Sequence, residues 1–218
     1  MHEVIKGYRK QVAVGAKYML QLKEDGVFAF AIFDGEWELY SRTGNLLSNT
    51  SVLLQQFPLG LNPKYVYIME IVEPTLSLEA LSGILNTNRV KPVEIDYHLR
   101  ARFHDRINRV DFLAGYSAEE AELRYLCLQS MVPWDKLPDC RVLSTLFDVS
   151  EERFILTTEA LIESGREGAV LKRQCADWKA GRKQHDSMKK VRGCDYDLRC
   201  VGVECGSGKR TGMVANAL

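Results

Sequence analysis

The stretch VFAFAIFDGEWELYSR, from Val27 to Arg42, constrains the fold more than any other part of this chain. Two strand-like runs flank an Asp-Gly pair, so FDGEW (33–37) reads as a hairpin turn. KYMLQLK, KYVYIMEIV, IDYHLRARF, GAVLKR and DYDLRCVGVE are further strand-like runs, several with apolar and polar residues alternating at period two. Helical stretches are fewer. SLEALSGILN opens with Ser77 as an N-cap. SAEEAELRYLCLQ places Ser117 three residues before Glu120, a capping-box pattern. TTEALIESG ends at Gly165, a natural residue just past a helix end. Strands interspersed with helices and rich in hairpins predict an α+β domain.

The 218 residues suit one domain with a short appendage. About 70 % of the unfolded surface is buried at this length, so no disulfide or metal staple is required. The final segment, DYDLRCVGVECGSGKRTGMVANAL, reads as two strands around a glycine-rich turn. Two strands alone are marginal in water. They either pack on the main domain or begin a small barrel that this chain does not finish.

Lysine plus arginine equals aspartate plus glutamate at 29 each, so net charge does not decide for or against nucleic acid. Six cysteines lie at 127, 140, 175, 194, 200 and 205, with no C-x-x-C pair and no zinc spacing. They read as reduced thiols of a cytosolic protein. The polar start MHEVIKGYRKQ is not a signal peptide, and no apolar run approaches the roughly 20 residues of a membrane span. GSGK (206–209) is not a P-loop, because Arg210 follows the lysine and no helix is expected after it. His98 and His104 lack a metal-binding context and read as surface or core histidines.

Chemistry-bearing residues occur in a fixed order. Lys23 ends the apolar run YMLQL and opens KEDG, where Gly26 supplies freedom for a turn. A lysine attacks phosphorus only as a neutral amine, which demands a desolvated or cation-rich setting. SRTGN follows with Arg42, the residue type suited to phosphate. YVYIMEIV carries Glu70 inside an apolar strand, where a carboxylate needs a partner. RARFHDR sets Phe103 in a polar stretch, where a base could stack on it. GREGAVLKR brings Glu167 and Lys172, and HDSMKKVRG brings Lys189 and Lys190. Each also has a plain structural reading: turn, strand edge, core ring or solvated charge.

This ordered set resembles the covalent nucleotidyltransferases, the polynucleotide ligases and mRNA capping enzymes. KEDG is similar to their nucleophile motif, SRTG to the arginine motif after it, and YIMEIV to the motif whose glutamate contacts ribose or metal. RFHD resembles the motif whose aromatic ring stacks on the base, EGAVLK the strand motif E-G-x-x-x-K, and SMKKV the terminal lysine motif. The likeness spans about residues 17–218 and is greatest for small bacteriophage ATP-dependent DNA ligases, on SLEALSGILN and the tail. It implies a nucleotidyltransferase domain (ATP-grasp-like) of antiparallel sheets flanked by helices over residues 1–193. The first strands of an oligonucleotide-binding (OB) barrel would follow over 194–218.

The resemblance also implies an activity. Lys23 would take AMP from ATP, pass it to the 5′-phosphate of nicked duplex DNA, and the 3′-hydroxyl would then seal the strand. Only 22 residues precede Lys23, which favours ATP over NAD as donor. Gln21, on the face of Lys23 by period-two alternation, suits the adenine edge. Arg42, Glu70, Phe103, Lys172, Lys189 and Lys190 would complete the nucleotide site, with Glu70 and Glu167 holding Mg²⁺. Residues 172–192 hold eight Lys or Arg against two Asp, a surface for the DNA backbone through Lys179, Arg182, Lys183 and Arg192. The implied protein, if complete, is a monomer, in the cytoplasm of a bacterial or phage-infected cell.

Three departures qualify this expectation. An arginine common after the lysine motif is replaced by the run GVFAF. Val191 stands where a second lysine of K-x-K falls, leaving Lys189 as the firmer assignment and Lys190 or Arg192 as substitutes. The chain also ends after two OB-like strands, where a complete OB domain has about five. That expectation leaves open a missing or separate OB domain and an exposed edge at 211–217. RNA ligation, capping chemistry and a non-catalytic DNA-binding remnant are the alternatives.

Overall fold

A computed structural model describes residues 16–85, 98–181, 187–192, 202–205, 211 and 214–217. Two sheets organise it. The larger has the order β3-β2-β4-β5-β7, with β2 Val27–Phe33, β3 Trp37–Ser41, β4 Tyr65–Val72, β5 Arg100–Asn108 and β7 Cys140–Val142. The smaller has the order β11-β9-β1-β8, with β1 Tyr18–Lys23, β8 Thr145–Leu146, β9 Gly168–Arg173 and β11 Ser187–Val191. β6 (Tyr116–Ser117) pairs with β10 (Trp178–Lys179) as a separate ribbon. The pairings are antiparallel except one: β5 and β7 run parallel, with Ala101 opposite Cys140.

The FDGEW hairpin forms as expected, closing with Phe33 opposite Trp37. The larger sheet buries Ala29, Ala31, Leu39, Tyr67, Met69, Ile71, Ala101 and Phe103 on one face. Leu53 from helix Ser51–Gln55, Leu81 and Leu85 from helix Leu78–Leu85, and Leu128 from helix Ala121–Ser130 close over it. On the smaller sheet, Tyr18, Leu20, Ala169 and Leu171 pack against Phe154 and Leu161 of helix Glu151–Glu163. Each sheet thus spends one face on helices. The remaining faces, carrying Glu70 and Arg102 on one side and Gln21, Lys23 and Lys172 on the other, turn toward each other.

Helix starts follow local hydrogen bonding more than the sequence pattern suggested. Ser77 caps its helix as expected, accepting from the Ala80 amide at 3.2 Å. Ser117 does not cap: it lies in β6 and its hydroxyl donates to Asp111 Oδ2 at 2.7 Å, so that helix begins only at Ala121. The helix read as TTEALIESG begins earlier, because Ser150 accepts from the Arg153 amide at 3.2 Å. It ends as expected before Gly165, at φ +83°. In the final segment β12 (Val203–Cys205) pairs antiparallel with β13 (Val214–Ala217), while the glycine-rich turn and the 193/194 boundary lie outside the described residues. Cys127, Cys140, Cys175 and Cys205 are free thiols; Cys194 and Cys200 lie outside the described residues.

Gly168 joins three strands at one point, opposite Lys23 on β1 and Val191 on β11. Its φ is +142°, and a Cβ there would collide with the Lys190 carbonyl oxygen. Gly168→Ala should therefore lower stability by about 1–3 kcal/mol from backbone strain alone. Denaturant unfolding checks this, since an unshifted midpoint would show that the β9–β11 pairing needs no glycine.

Candidate active site

The site is the space between the two inner faces. Period-two alternation puts Met19, Gln21 and Lys23 of β1 on one face, opposite Lys172, Val170 and Gly168 of β9. On β11 the residues in the same row are Ser187, Lys189 and Val191. Lys189 therefore belongs to the inner face and is exposed there. Lys190 does not: it lies on the opposite face, where its Nζ meets Glu159 Oε1 at 3.3 Å on helix Glu151–Glu163. This corrects the expectation that Lys190 joins the nucleotide site or replaces a second lysine.

Lys23 Nζ lies 2.5 Å from Glu167 Oε2, and the two side chains are 26 % and 29 % exposed. The pair is thus shielded but reachable. Gly26, three residues on, matters for space more than for turning. A Cβ there would lie 2.7 Å from the Ile71 carbonyl oxygen and 2.8 Å from Val72 Cγ1. Only a glycine lets KEDG press onto β4 and bring Lys23 to Glu70.

Glu70 sits mid-strand between Phe28 of β2 and Arg102 of β5. It makes no hydrogen bond or ion pair among the described residues. Burial pushes its carboxyl up to about 7, opposed by Lys23 and Arg42 and reinforced by Glu167 and Glu24. A carboxyl raised in the fold keeps a proton that the unfolded chain releases, so its contribution to stability falls as pH rises from about 4.5 to 7. Glu70→Gln should then melt higher than the parent at pH 8 and equally at pH 4, measured without divalent cations. Equal melting at both pH values would remove the strained carboxylate.

Arg42 is exposed on the SRTG turn, where Gly44 adopts φ +81°, and its guanidinium lies 4.6 Å from the Phe28 ring centroid. Gln21 is buried, and its amide donates to Thr145 Oγ1 at 3.1 Å and the His104 carbonyl at 3.4 Å. The bond to His104 ties the smaller sheet to the larger across the cleft, whereas Thr145 lies beside Gln21 on β8 of the same sheet.

Phe103 corrects another expectation. It is 0 % exposed and packs among Phe57, Tyr67 and Trp134 in the helix-covered core, so no base can stack on it. Plain alternation puts it there, in the row of Ala101 and opposite Met69, and a β-bulge follows it. Met69 pairs with Phe103 but Ile68 pairs with Asp105, leaving His104 as the extra residue. The bulge returns Asp105 and Ile107 to the inner side, and the His104 ring lies 6.5 Å from Phe28. Burial, then the Lys172 ammonium, push His104 down to about 4, leaving it neutral near pH 7.

Asp105 anchors Lys172 at 3.5 Å and receives Arg124 through Nε at 2.8 Å and Nη2 at 3.1 Å. Burial alone would raise its carboxyl, but Lys172 and Arg124 hold it below the usual range. Neither Asp105 nor Arg124 was anticipated from sequence. Arg124 sits in a stretch that reads as an ordinary amphipathic helix.

Among the described residues of the basic stretch, not every cation faces outward. Lys172 turns inward to Asp105, and Lys179 lies on β10 with Asp177 at 3.0 Å. Arg192 is exposed, and its amide donates to the Glu167 carbonyl at 2.9 Å. Arg182 and Lys183 lie outside the described residues. Trp178 is a packing residue, stacked on Phe112 at 5.2 Å. Among the described residues no three His, Cys, Asp or Glu side chains gather as a metal cluster. No helix of the described residues is long and apolar enough to cross a membrane.

No known family model matches the chain, and no curated protein matches it. Solved structures do match in fold. One described as Pmar-Lig PreS3 superposes with TM-score 0.78 at 20 % identity, covering 96 % of this chain and 50 % of that one. The ATP-dependent DNA ligase from bacteriophage T7, in complex with ATP, gives TM-score 0.67 at 15 % identity, covering 96 % and 73 %. A structure from a study of Lig E DNA ligases, on DNA binding with a minimal scaffold, gives 0.66 at 19 %, covering 96 % and 75 %. The chain thus has the fold of the ligase nucleotidyltransferase domain with OB-type strands, and spans about half the length of the Pmar-Lig chain.

Proposed function

We propose that this chain is an ATP-dependent polynucleotide ligase acting on nicked duplex DNA, with Lys23 as the nucleophile that carries AMP. The observation that supports it best is the shielded Lys23–Glu167 pair at 2.5 Å, set between walls that carry Lys189, Lys172, Arg42 and Glu70. Transfer of a phosphoryl group needs in-line placement and charge stabilisation more than acid–base help. Lys189 and Arg42 are exposed cations placed for phosphate oxygens.

An ammonium cannot attack, so the Lys23–Glu167 pair must part and Nζ must lose a proton, with the Glu167 carboxylate adjacent to receive it. The amine nitrogen then bonds to the α-phosphorus as the bond to pyrophosphate breaks. AMP passes next to a 5′-phosphate oxygen, restoring the free lysine, and the 3′-hydroxyl displaces AMP to close the strand. Glu70 and Glu167 fit Mg²⁺: two carboxylates near phosphate suit this ion, and the strained Glu70 is eased by a cation. Bound there, Mg²⁺ would neutralise charge developing on the phosphate oxygens.

We place the nucleotidyltransferase unit at 1–193 and the OB segment at 194–218. Incubation with α-labelled ATP or GTP and Mg²⁺, followed by denaturing electrophoresis, tests the reading. The expected result is a covalent label from ATP that is chased onto 5′-phosphorylated nicked DNA. A label from GTP would indicate capping chemistry, transfer only to nicked RNA would indicate an RNA ligase, and no label would indicate a binding remnant.

A further inference from the structure

Beside Lys23 lies a group of arginines that the reaction above does not use. Glu24 is flanked by Arg102 Nε at 4.0 Å and Arg166 at 4.0 Å. Both distances are too long for hydrogen bonds, so one carboxylate is shared loosely by two guanidinium groups. Arg102 is 16 % exposed, and its only hydrogen bonds among the described residues go to the carbonyls of Ala101 and Asp139, each at 3.4 Å. Directly opposite it on β7 stands Arg141. Like charges facing each other across two strands are destabilising. Next along β5, Arg100 has a buried Nε with no hydrogen-bond acceptor among the described residues, although Asp139 lies 3.5 Å away. Asp139, Glu24 and Glu73 lie among these arginines, yet guanidinium donors in the partly buried set remain unfilled, and such donors suit an anion.

Chain position says which anion. Glu24 follows Lys23, and Arg166 precedes Glu167, so the group borders the nucleophile pair on its Glu24 side. Arg102 neighbours Glu70 across β4 and β5. Planar guanidinium forks match the tetrahedral oxygens of phosphate better than any point cation does. We propose that Arg102 and Arg166, supported by Arg100 and Arg141, form a phosphate-binding subsite next to Lys23. Arg102 is its fixed floor, and Arg166, 58 % exposed, is its movable arm. The phosphate comes either from the β,γ end of the nucleotide or from the 5′ end of the nick. The nick arm rests on the proposed ligase reading, whereas the nucleotide arm does not require turnover.

Two variants, Arg102→Gln and Arg166→Gln, separate the sources. Calorimetric titration of the full chain with inorganic pyrophosphate, without ATP, reads the first. The affinity of the chain for nicked duplex ending in 5′-phosphate, relative to 5′-hydroxyl, reads the second. Loss of charge-assisted bonds predicts about a tenfold weakening in one readout for each variant. Weaker pyrophosphate binding assigns the subsite to the nucleotide, even where no covalent label forms. Unchanged pyrophosphate binding with lost preference for 5′-phosphate assigns it to the nick. Variants that keep both at parental levels, with melting curves showing intact folds, overturn the subsite. Because Arg166 is largely exposed, its variant keeps the test valid if Arg102→Gln fails to fold.

Discussion

Lys23→Arg should abolish the covalent nucleotide label, by at least about 10³-fold, the scale on which loss of a nucleophile acts. Arginine is the stringent choice. It keeps the positive charge and the contact with Glu167, so the pair that closes β1 against the end of β9 survives. Its guanidinium stays charged in proteins and cannot offer a neutral amine to phosphorus. Thermal melting of the variant should match the parent within a few degrees. Label retained on the arginine variant would place the nucleophile elsewhere, and a collapsed melting curve would assign Lys23 a structural role.

The second large effect concerns Arg124, which is 1 % exposed. Besides its two bonds to Asp105, it donates to the carbonyls of Ala176, at 3.2 Å, and Glu119. Arg124→Leu leaves Asp105 buried with Lys172 as its remaining cation at 3.5 Å. Removing one partner of a buried pair costs about 3–5 kcal/mol. At this chain length that corresponds to a melting shift of roughly 6–20 °C. Adding Asp105→Leu to Arg124→Leu should recover part of the loss, because no orphaned carboxylate remains. A double variant less stable than the single would show that Asp105 is supported mainly by other contacts.

Much of this architecture could be read from the chain because strand parity is a local property. The alternation in KYMLQLK places Gln21 and Lys23 together, and the structure retains that placement. The same rule distinguishes Lys189 from Lys190, since a K-x-K spacing puts both lysines on one face and KK cannot. Phe103 was misassigned because its polar neighbours in RARFHDR suggested an open face, although alternation puts it in the row of Ala101 that meets the aromatic core. Arg102 and Arg166 escaped notice for another reason. They lie 64 positions apart in sequence and meet only through Glu24. Gly26 was recognised as special, but its cause is the nearness of β4, a contact 45 residues distant that no turn rule contains.

The extra residue in β5 has a consequence for how this protein can change by insertion and deletion. Most strands tolerate substitution more readily than loss of a residue, and here one position reverses that rule. Deleting His104 would remove the unpaired residue of the bulge and leave Phe103 opposite Met69 and Asp105 opposite Ile68. Asp105 would stay on the inner side with Arg124 and Lys172. The strand can therefore shorten by one residue at the bulge, whereas a change of length elsewhere along it would turn side chains to the other face.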